Sequence, residues 1–296
     1  MPRQLFPYVG GKYTIAPEIN RRFGAIDTRI DAFTGSSSWI LASEPVKYEF
    51  VNDLDGHVVN YLRAVKCAPE EVAWHLDFPR VELELVAHHH YVRDKLPELV
   101  SRLGGDPDYY DPVIAARWAY VMAHSLIQEY HRAGSWLVRD GRLVYERGAG
   151  RRRGSMTSRP LLLTRLIKEH RVSEYITALS ERLRNVQVWW NDFEVVVEKA
   201  DRSYFGIVGI LLDPPYPHHL RDVEYGTDSA DIWYRAARWA AANGDDPKYR
   251  IAVCGYNDAE SDTLFPPDWA RFVWGRSGVG KHKDRECIWF NPHCGD

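Results

Sequence analysis

No run of about 18 apolar residues occurs anywhere in this chain, so no membrane-spanning helix is expected. Cysteine is scarce: Cys67, Cys254, Cys287 and Cys294 are the only four, and none stands in CxxC spacing. That argues against a disulfide scaffold or a structural zinc and fits a reducing compartment. The opening residues, Met1-Pro2-Arg3-Gln4-Leu5-Phe6-Pro7, lack the apolar core of a signal peptide, which points to the cytoplasm. No Gly-x-x-x-x-Gly-Lys-Ser/Thr loop is present, so an ATP-driven reading lacks its phosphate cradle. No Gly-x-Ser-x-Gly elbow is present either, which removes one common serine-hydrolase signature.

What is present describes an ordinary globular chain. Its 296 residues, 45% hydrophobic and 27% charged, suffice for one large domain or two moderate ones. The net charge of −3 is uninformative, but its distribution is uneven. Residues 110–185 hold 14 Arg/Lys against 7 Asp/Glu, a balance of +7, and the remainder carries −10. A basic segment within an acidic chain suggests contact with a polyanion, most simply nucleic acid. The alternative is a solvated, arginine-rich surface without a partner.

Hydrophobic patterning divides the chain. Arg29–Phe33 reads as a buried strand entering the small-residue turn Thr34-Gly35-Ser36-Ser37-Ser38, with a helix starting at Trp39. Lys47–Val51 is a second strand, ending at Asn52-Asp53, and a helix runs from about Gly56 to Lys66. This is a strand–turn–helix–strand unit of the doubly wound type. Strands recur at Val186–Trp190, Gly206–Leu212 and Tyr249–Cys254, and Arg271–Trp274 with Glu286–Phe290 can close the sheet as an edge hairpin. Between them, helical periodicity dominates Val81–Val100, Val113–Tyr130 and Leu161–Leu183. Trp136–Tyr145 is the exception, two apolar-alternating runs around Asp140-Gly141 and hence a β-hairpin. The expectation is an α/β domain of residues 1–68 and 186–296, with an inserted, mainly helical domain of residues 69–185 containing the hairpin. His88-His89-His90 falls in a helical pattern that splays three consecutive side chains around the circumference. It reads as surface and interface, and no metal is expected.

The apolar strand Gly206–Leu212 empties directly into Asp213-Pro214-Pro215-Tyr216. Ligands of open α/β sheets bind beyond the carboxyl ends of the strands. A carboxylate, a rigid carbonyl and an aromatic ring presented there suit recognition of a planar amine. Taken in order, Pro7-Tyr8-Val9-Gly10-Gly11-Lys12, Asp31-Ala32-Phe33-Thr34-Gly35, an inserted segment and Asp213-Pro214-Pro215-Tyr216 resemble the Dam-like N6-adenine DNA methyltransferases. Asn52-Asp53-Leu54-Asp55 is similar to that family's second-strand acidic motif. The resemblance spans about residues 5 to 290 and is weakest in the insertion and after Tyr216.

It implies a Rossmann-like methyltransferase sheet, S-adenosylmethionine as methyl donor without a metal, and double-stranded DNA as substrate. The catalytic residues implied are Asp213, Pro214 and Tyr216. The cofactor would be held by Tyr8 and Lys12 at its methionine end, by Phe33 and Gly35 beneath it, by Asp53 at the ribose and by Asp192 and Phe193 at the adenine. In the insertion, Trp136 is a candidate for stacking on DNA, Arg139 and Arg142 for entering a groove, and Arg151, Arg152 and Arg153 for phosphates. A cognate restriction endonuclease is a candidate partner, and RNA stays open as a substrate. No Pro-Cys dipeptide exists, which excludes cytosine C5 chemistry. Two readings remain beside adenine: methylation of another planar amine (cytosine N4 or a glutamine amide), and an impaired methyltransferase-fold DNA-binding module. The second arises because the family loop usually carries a glycine where this chain has Ser37.

Overall fold

Short, largely apolar runs from the two end segments of the chain assemble a seven-stranded sheet in the computed structural model. The structure describes residues 3–4, 11–79, 81–124, 136–139, 142–145, 162–199, 206–216, 231–257, 259–274 and 286–295. Two compact units are present: residues 9–55 with 185–296, and residues 1–8 with 56–184.

The first unit holds the sheet, built from β1 (Thr28–Asp31), β2 (Tyr48–Asn52), β5 (Val186–Trp189), β6 (Val208–Leu212), β7 (Tyr249–Tyr256), β8 (Ala270–Val273) and β9 (Glu286–Phe290), numbered along the whole chain. Their order is β5-β2-β1-β6-β7-β9-β8, parallel except for β9, which runs antiparallel to both its neighbours. β1, β6 and β9 are buried along their whole length, which is why their sequences are not simply alternating. Successive side chains of each strand feed two different cores. Ile210, Leu212, Ile251 and Val253 pack on one face with Phe193 and Val197 of α9 (Phe193–Lys199) and Trp233, Ala236 and Ala240 of α10 (Ile232–Asn243). Leu211, Ala252, Ile288 and Phe290 pack on the other with Ile19 and Phe23 of α1 (Ala16–Phe23) and Trp39 of α2 (Ser38–Leu41). Helices on both faces make the sheet doubly wound. α1 approaches closely because residue 209 is glycine: a Cβ there would lie 2.7 Å from both Phe23 and Ile26.

Of the charged residues buried in this sheet, two pair with each other across neighbouring strands. Arg29 and Glu49 are register partners on β1 and β2, both buried, with Arg29 Nη1 2.6 Å from Glu49 Oε1. Arg29 also donates to the Glu44 carbonyl at 2.9 Å and covers the Trp39 ring.

The second unit is mainly helical: α3 (Gly56–Cys67), α4 (Pro69–Leu76), α5 (Glu82–Gly105), α6 (Pro112–His124), α7 (Leu162–Lys168) and α8 (Val172–Leu183). α3 packs here, against α5, α6 and α8. β3 (Trp136–Arg139) and β4 (Arg142–Tyr145) pair antiparallel with Arg139 opposite Arg142, a two-residue hairpin as the Asp140-Gly141 spacing predicts. The helical stretch 161–183 is two helices. His170 adopts left-handed backbone at φ +54°, and the Arg171 N–H reaches back to the Leu166 carbonyl, closing α7. The histidine triplet is also corrected: His89 and His90 are buried and His88 stands edge-on to Tyr120, because α5 turns that face toward α6. Among the described residues no helix is long and apolar enough to cross a membrane.

Candidate active site

β1 continues toward β2 on one side of it, whereas its other neighbour, β6, continues toward β7 on the opposite side. The sheet's switch point therefore falls between the carboxyl ends of β1 and β6, the place where open α/β sheets bind their ligands. Asp31 ends β1 and Asp213 follows β6. Lys12, ahead of α1, is buried and places Nζ 2.6 Å from Asp213 Oδ2. Its backbone N–H donates to Ser38 Oγ at 2.6 Å, so the start of α2 positions it. Burial alone would lower the Lys12 ammonium, but the Asp213 carboxylate, reinforced by Cys254 and Glu286, outweighs it and holds the ammonium above the ordinary lysine range. Burial pushes Asp31 up to about 7, the Asp213 charge adding to this and the Thr34 hydroxyl bond opposing it. The Tyr216 hydroxyl reaches Asp213 Oδ1 only at 3.5 Å, and its ring meets Tyr256 edge-on with centroids 4.6 Å apart. One oxygen of Asp213 is thus held by lysine, and the other faces Tyr216 at this long distance.

The turn after β1 carries two left-handed residues, Gly35 at φ +47° and Ser37 at φ +53°. Ser37 thus takes up the backbone conformation that glycine adopts without penalty, held by a 2.8 Å hydroxyl contact with Thr34. We expect Ser37→Gly to be more stable than Ser37→Ala by about 1–2 kcal/mol in denaturant titrations. Both variants lose the hydroxyl, and only alanine keeps the strain. Equal stabilities would mean the turn is relaxed.

Gly35 also donates its N–H to Asp53 Oδ2 at 2.8 Å, and Asp55 N–H donates to Oδ1 at 2.9 Å. A further backbone bond comes from Leu54, and the carboxylate's remaining acceptor capacity suits a ligand hydroxyl. Burial, with the neighbouring Asp55 charge, pushes Asp53 up to about 7 against its backbone bonds. With Asp31 and Asp53 both raised, the folded chain binds more protons than the unfolded one between about pH 4 and 7. These two groups therefore cost stability as pH rises through that window.

Asn52 ties three strand ends together. Its amide donates to the Ala32 and Asn191 carbonyls at 3.1 and 2.9 Å, and its oxygen accepts from Asn191 N–H at 3.0 Å. Asp192 follows and caps α9, its Oδ1 accepting from Glu194 N–H at 3.0 Å. Phe193 is buried and packs on Phe33, with ring centroids 5.1 Å apart. A glycine without a Cβ, a carboxylate suited to a ligand hydroxyl, an aromatic pair and a capping carboxylate fit an adenosine-bearing ligand.

The structure brings together Lys12, Asp213 and Tyr216, joins Gly35 to Asp53, and packs Phe33 against Phe193 beside Asp192. Pro214 is buried between them in sequence. Tyr8, Arg151, Arg152 and Arg153 lie outside the described residues. Trp136, Arg139 and Arg142 are placed on the hairpin strands by their backbone. Sequence reasoning missed Asp31, Asn52 and Arg235 as site residues. Asp31 was readable as an acid ending a strand opposite the Asp213 strand, whereas the other two matter only through partners far away in sequence. Among the described residues no group of three metal-ligating side chains assembles. Residues 8–93 match the model of the D12 class N6 adenine-specific DNA methyltransferase family. No curated protein matches the chain.

Proposed function

We propose that this chain methylates the N6 amine of an adenine flipped out of duplex DNA, with S-adenosylmethionine as donor, a reading supported by the match of residues 8–93 to the D12 class N6 adenine-specific DNA methyltransferase family. The observation that carries the reading is Asp213, at the switch point, with one oxygen fixed by buried Lys12 and the other turned to Tyr216. The adenine amine is a poor nucleophile because its lone pair is delocalised into the ring. Asp213 Oδ1 and the Pro214 carbonyl accept its two N–H bonds, which favours a tetrahedral nitrogen and stabilises the positive charge that develops there. Tyr216 stacks on the flipped base, and the rigid Pro-Pro backbone fixes the angle of approach. The donor supplies an electrophilic methyl on a positively charged sulfur. Asp53 accepts from its ribose hydroxyls, Asp192 and Phe193 hold its adenine, Phe33 and Gly35 shape the floor, and Tyr8 and Lys12 line its methionine end.

Residues 69–185 serve as the target-recognition domain in this reading. Arg151, Arg152 and Arg153 neutralise phosphates, while Arg139, Arg142 and Trp136 reach into the duplex from the hairpin. The +7 balance of residues 110–185 supports the assignment. Expression in a methylation-free host, followed by modification-sensitive sequencing of its genome, tests the function. N6-methyladenine at one short motif is expected; N4-methylcytosine, or an unmodified genome, overturns the reading.

The Asp53 carboxyl adds a pH dependence. Held up to about 7, it is partly protonated at neutral pH, and only its ionised form accepts fully from two hydroxyls. Cofactor affinity is expected to strengthen as pH rises from about 6 to 8. Asp53→Ala should weaken binding by roughly 1.5–3 kcal/mol at pH 8 and flatten that slope. Calorimetry without DNA measures both, and an unchanged dissociation constant would remove Asp53 from the site.

A further inference from the structure

Arg235 lies on α10, away from every motif described above, yet its guanidinium closes on the start of α9. Nη2 is 3.0 Å from Asp192 Oδ1 and 2.8 Å from Glu194 Oε2, Nε donates to Glu194 Oε1 at 2.9 Å, and the guanidinium carbon lies 5.4 Å from the Phe193 ring centroid. One planar fork therefore grips both acidic side chains of the α9 start and covers the aromatic ring between them, a geometry lysine cannot reproduce. Without it, two carboxylates two residues apart repel each other, and among the described residues Asp192 keeps its capping bond to Glu194 N–H. With it, Asp192 Oδ1 is fully engaged and the rotamer is locked, which leaves Oδ2 as the oxygen offered to a ligand.

We propose that Arg235 is a positioning residue that sets the specificity of the site for an amino-bearing purine on the cofactor, by aiming Asp192 at the exocyclic amine. The proposal rests on the reading that Asp192 meets the cofactor's adenine. A carboxylate attracts an amine and repels the carbonyl that replaces it in hypoxanthine, so aim at this position is read directly as base preference. Arg235, Asp192 and Glu194 are each about a third exposed, at 29%, 35% and 39%, so solvent moderates the effect.

The test is calorimetric titration of the whole protein, without DNA, with S-adenosylhomocysteine and with its deaminated form, S-inosylhomocysteine. Arg235→Met is expected to weaken the adenosyl ligand by about tenfold and leave the inosyl ligand within about twofold, so the preference collapses. Asp192→Ala should do the same, and adding Arg235→Met to Asp192→Ala should change nothing further. Both ligands are titrated into one preparation, so an unfolded fraction leaves the ratio untouched. Arg235→Lys, which keeps stem and charge but cannot span both carboxylates, gives a smaller shift in the same direction and replaces the methionine variant if that fails to fold. If Asp192→Ala lowers the preference while Arg235→Met weakens both ligands equally, or neither, the positioning role is wrong. If Asp192→Ala leaves the preference intact, the assignment of Asp192 to the adenine is wrong and the role of Arg235 falls with it.

Discussion

Asp213→Ala is expected to lower the single-turnover rate of methyl transfer on duplex DNA by a factor on the order of 10²–10³ or more, with cofactor binding largely kept. The variant removes a preorganised charged acceptor at the point where positive charge develops. It also strips the partner from Lys12, which is only 3% exposed. Removing one partner of a buried pair costs about 3–5 kcal/mol when nothing replaces it. Here a replacement stands nearby: Asp31 feels both charges, pushed up by Asp213 and drawn down by Lys12. With Asp213 gone, Asp31 loses the repulsion that raises it and is left as the nearby carboxylate counter-ion, so the stability loss at pH 8 should fall below that range. The rate loss has no such substitute, because Asp31 ends a different strand. A near-normal rate in the alanine variant would falsify the catalytic assignment.

Glu49→Ala should be the most destabilising single change in the sheet, by about 3–5 kcal/mol in denaturant-induced unfolding. Arg29 would then be left as a buried cation between β1 and β2, 4% exposed and opposite an alanine. The double variant Arg29→Met, Glu49→Leu should recover most of the loss, since an apolar pair of similar volume needs no compensation. A double variant as unstable as the single one would show that the bond from Arg29 to the Glu44 carbonyl and its contact with Trp39 matter more than the charge pair.

These two cases also mark what the sequence could and could not reveal. β1, β2, β6 and β7 were legible because each is a short apolar run feeding a core, and Asp213-Pro214-Pro215-Tyr216 was legible because its position after such a run is informative. The hairpin was legible from Asp140-Gly141 set between two apolar-alternating runs. Arg29 and Glu49 were not, because a charge inside a strand reads as a solvent-facing position until its partner is known. Asn52 and Arg235 were hidden for the same reason: their bonds span 139 residues from Asn52 to Asn191, and 43 from Arg235 to Asp192. Ser37 read as a departure that weakened the site, and the structure places it in the left-handed backbone that glycine would adopt. The burial of His89 and His90 depended on how α5 rotates against α6, which three adjacent histidines do not encode.

The strand order has a consequence for how the protein is made. β1 and β2 leave the ribosome first, but β1 needs β6 on its other side, and residues 56–184 of the helical unit are synthesised in between. β8 must wait again, since the neighbour it pairs with is β9. Long-range pairings of this kind form slowly and leave strand edges open in the meantime. The helical unit, by contrast, draws its main run from one continuous stretch and can fold while the sheet is still incomplete. A nascent chain halted before residue 186 should therefore carry a protease-resistant helical core attached to an unprotected β1–β2 pair, and one halted before residue 286 should still leave the β7 edge open for want of β9.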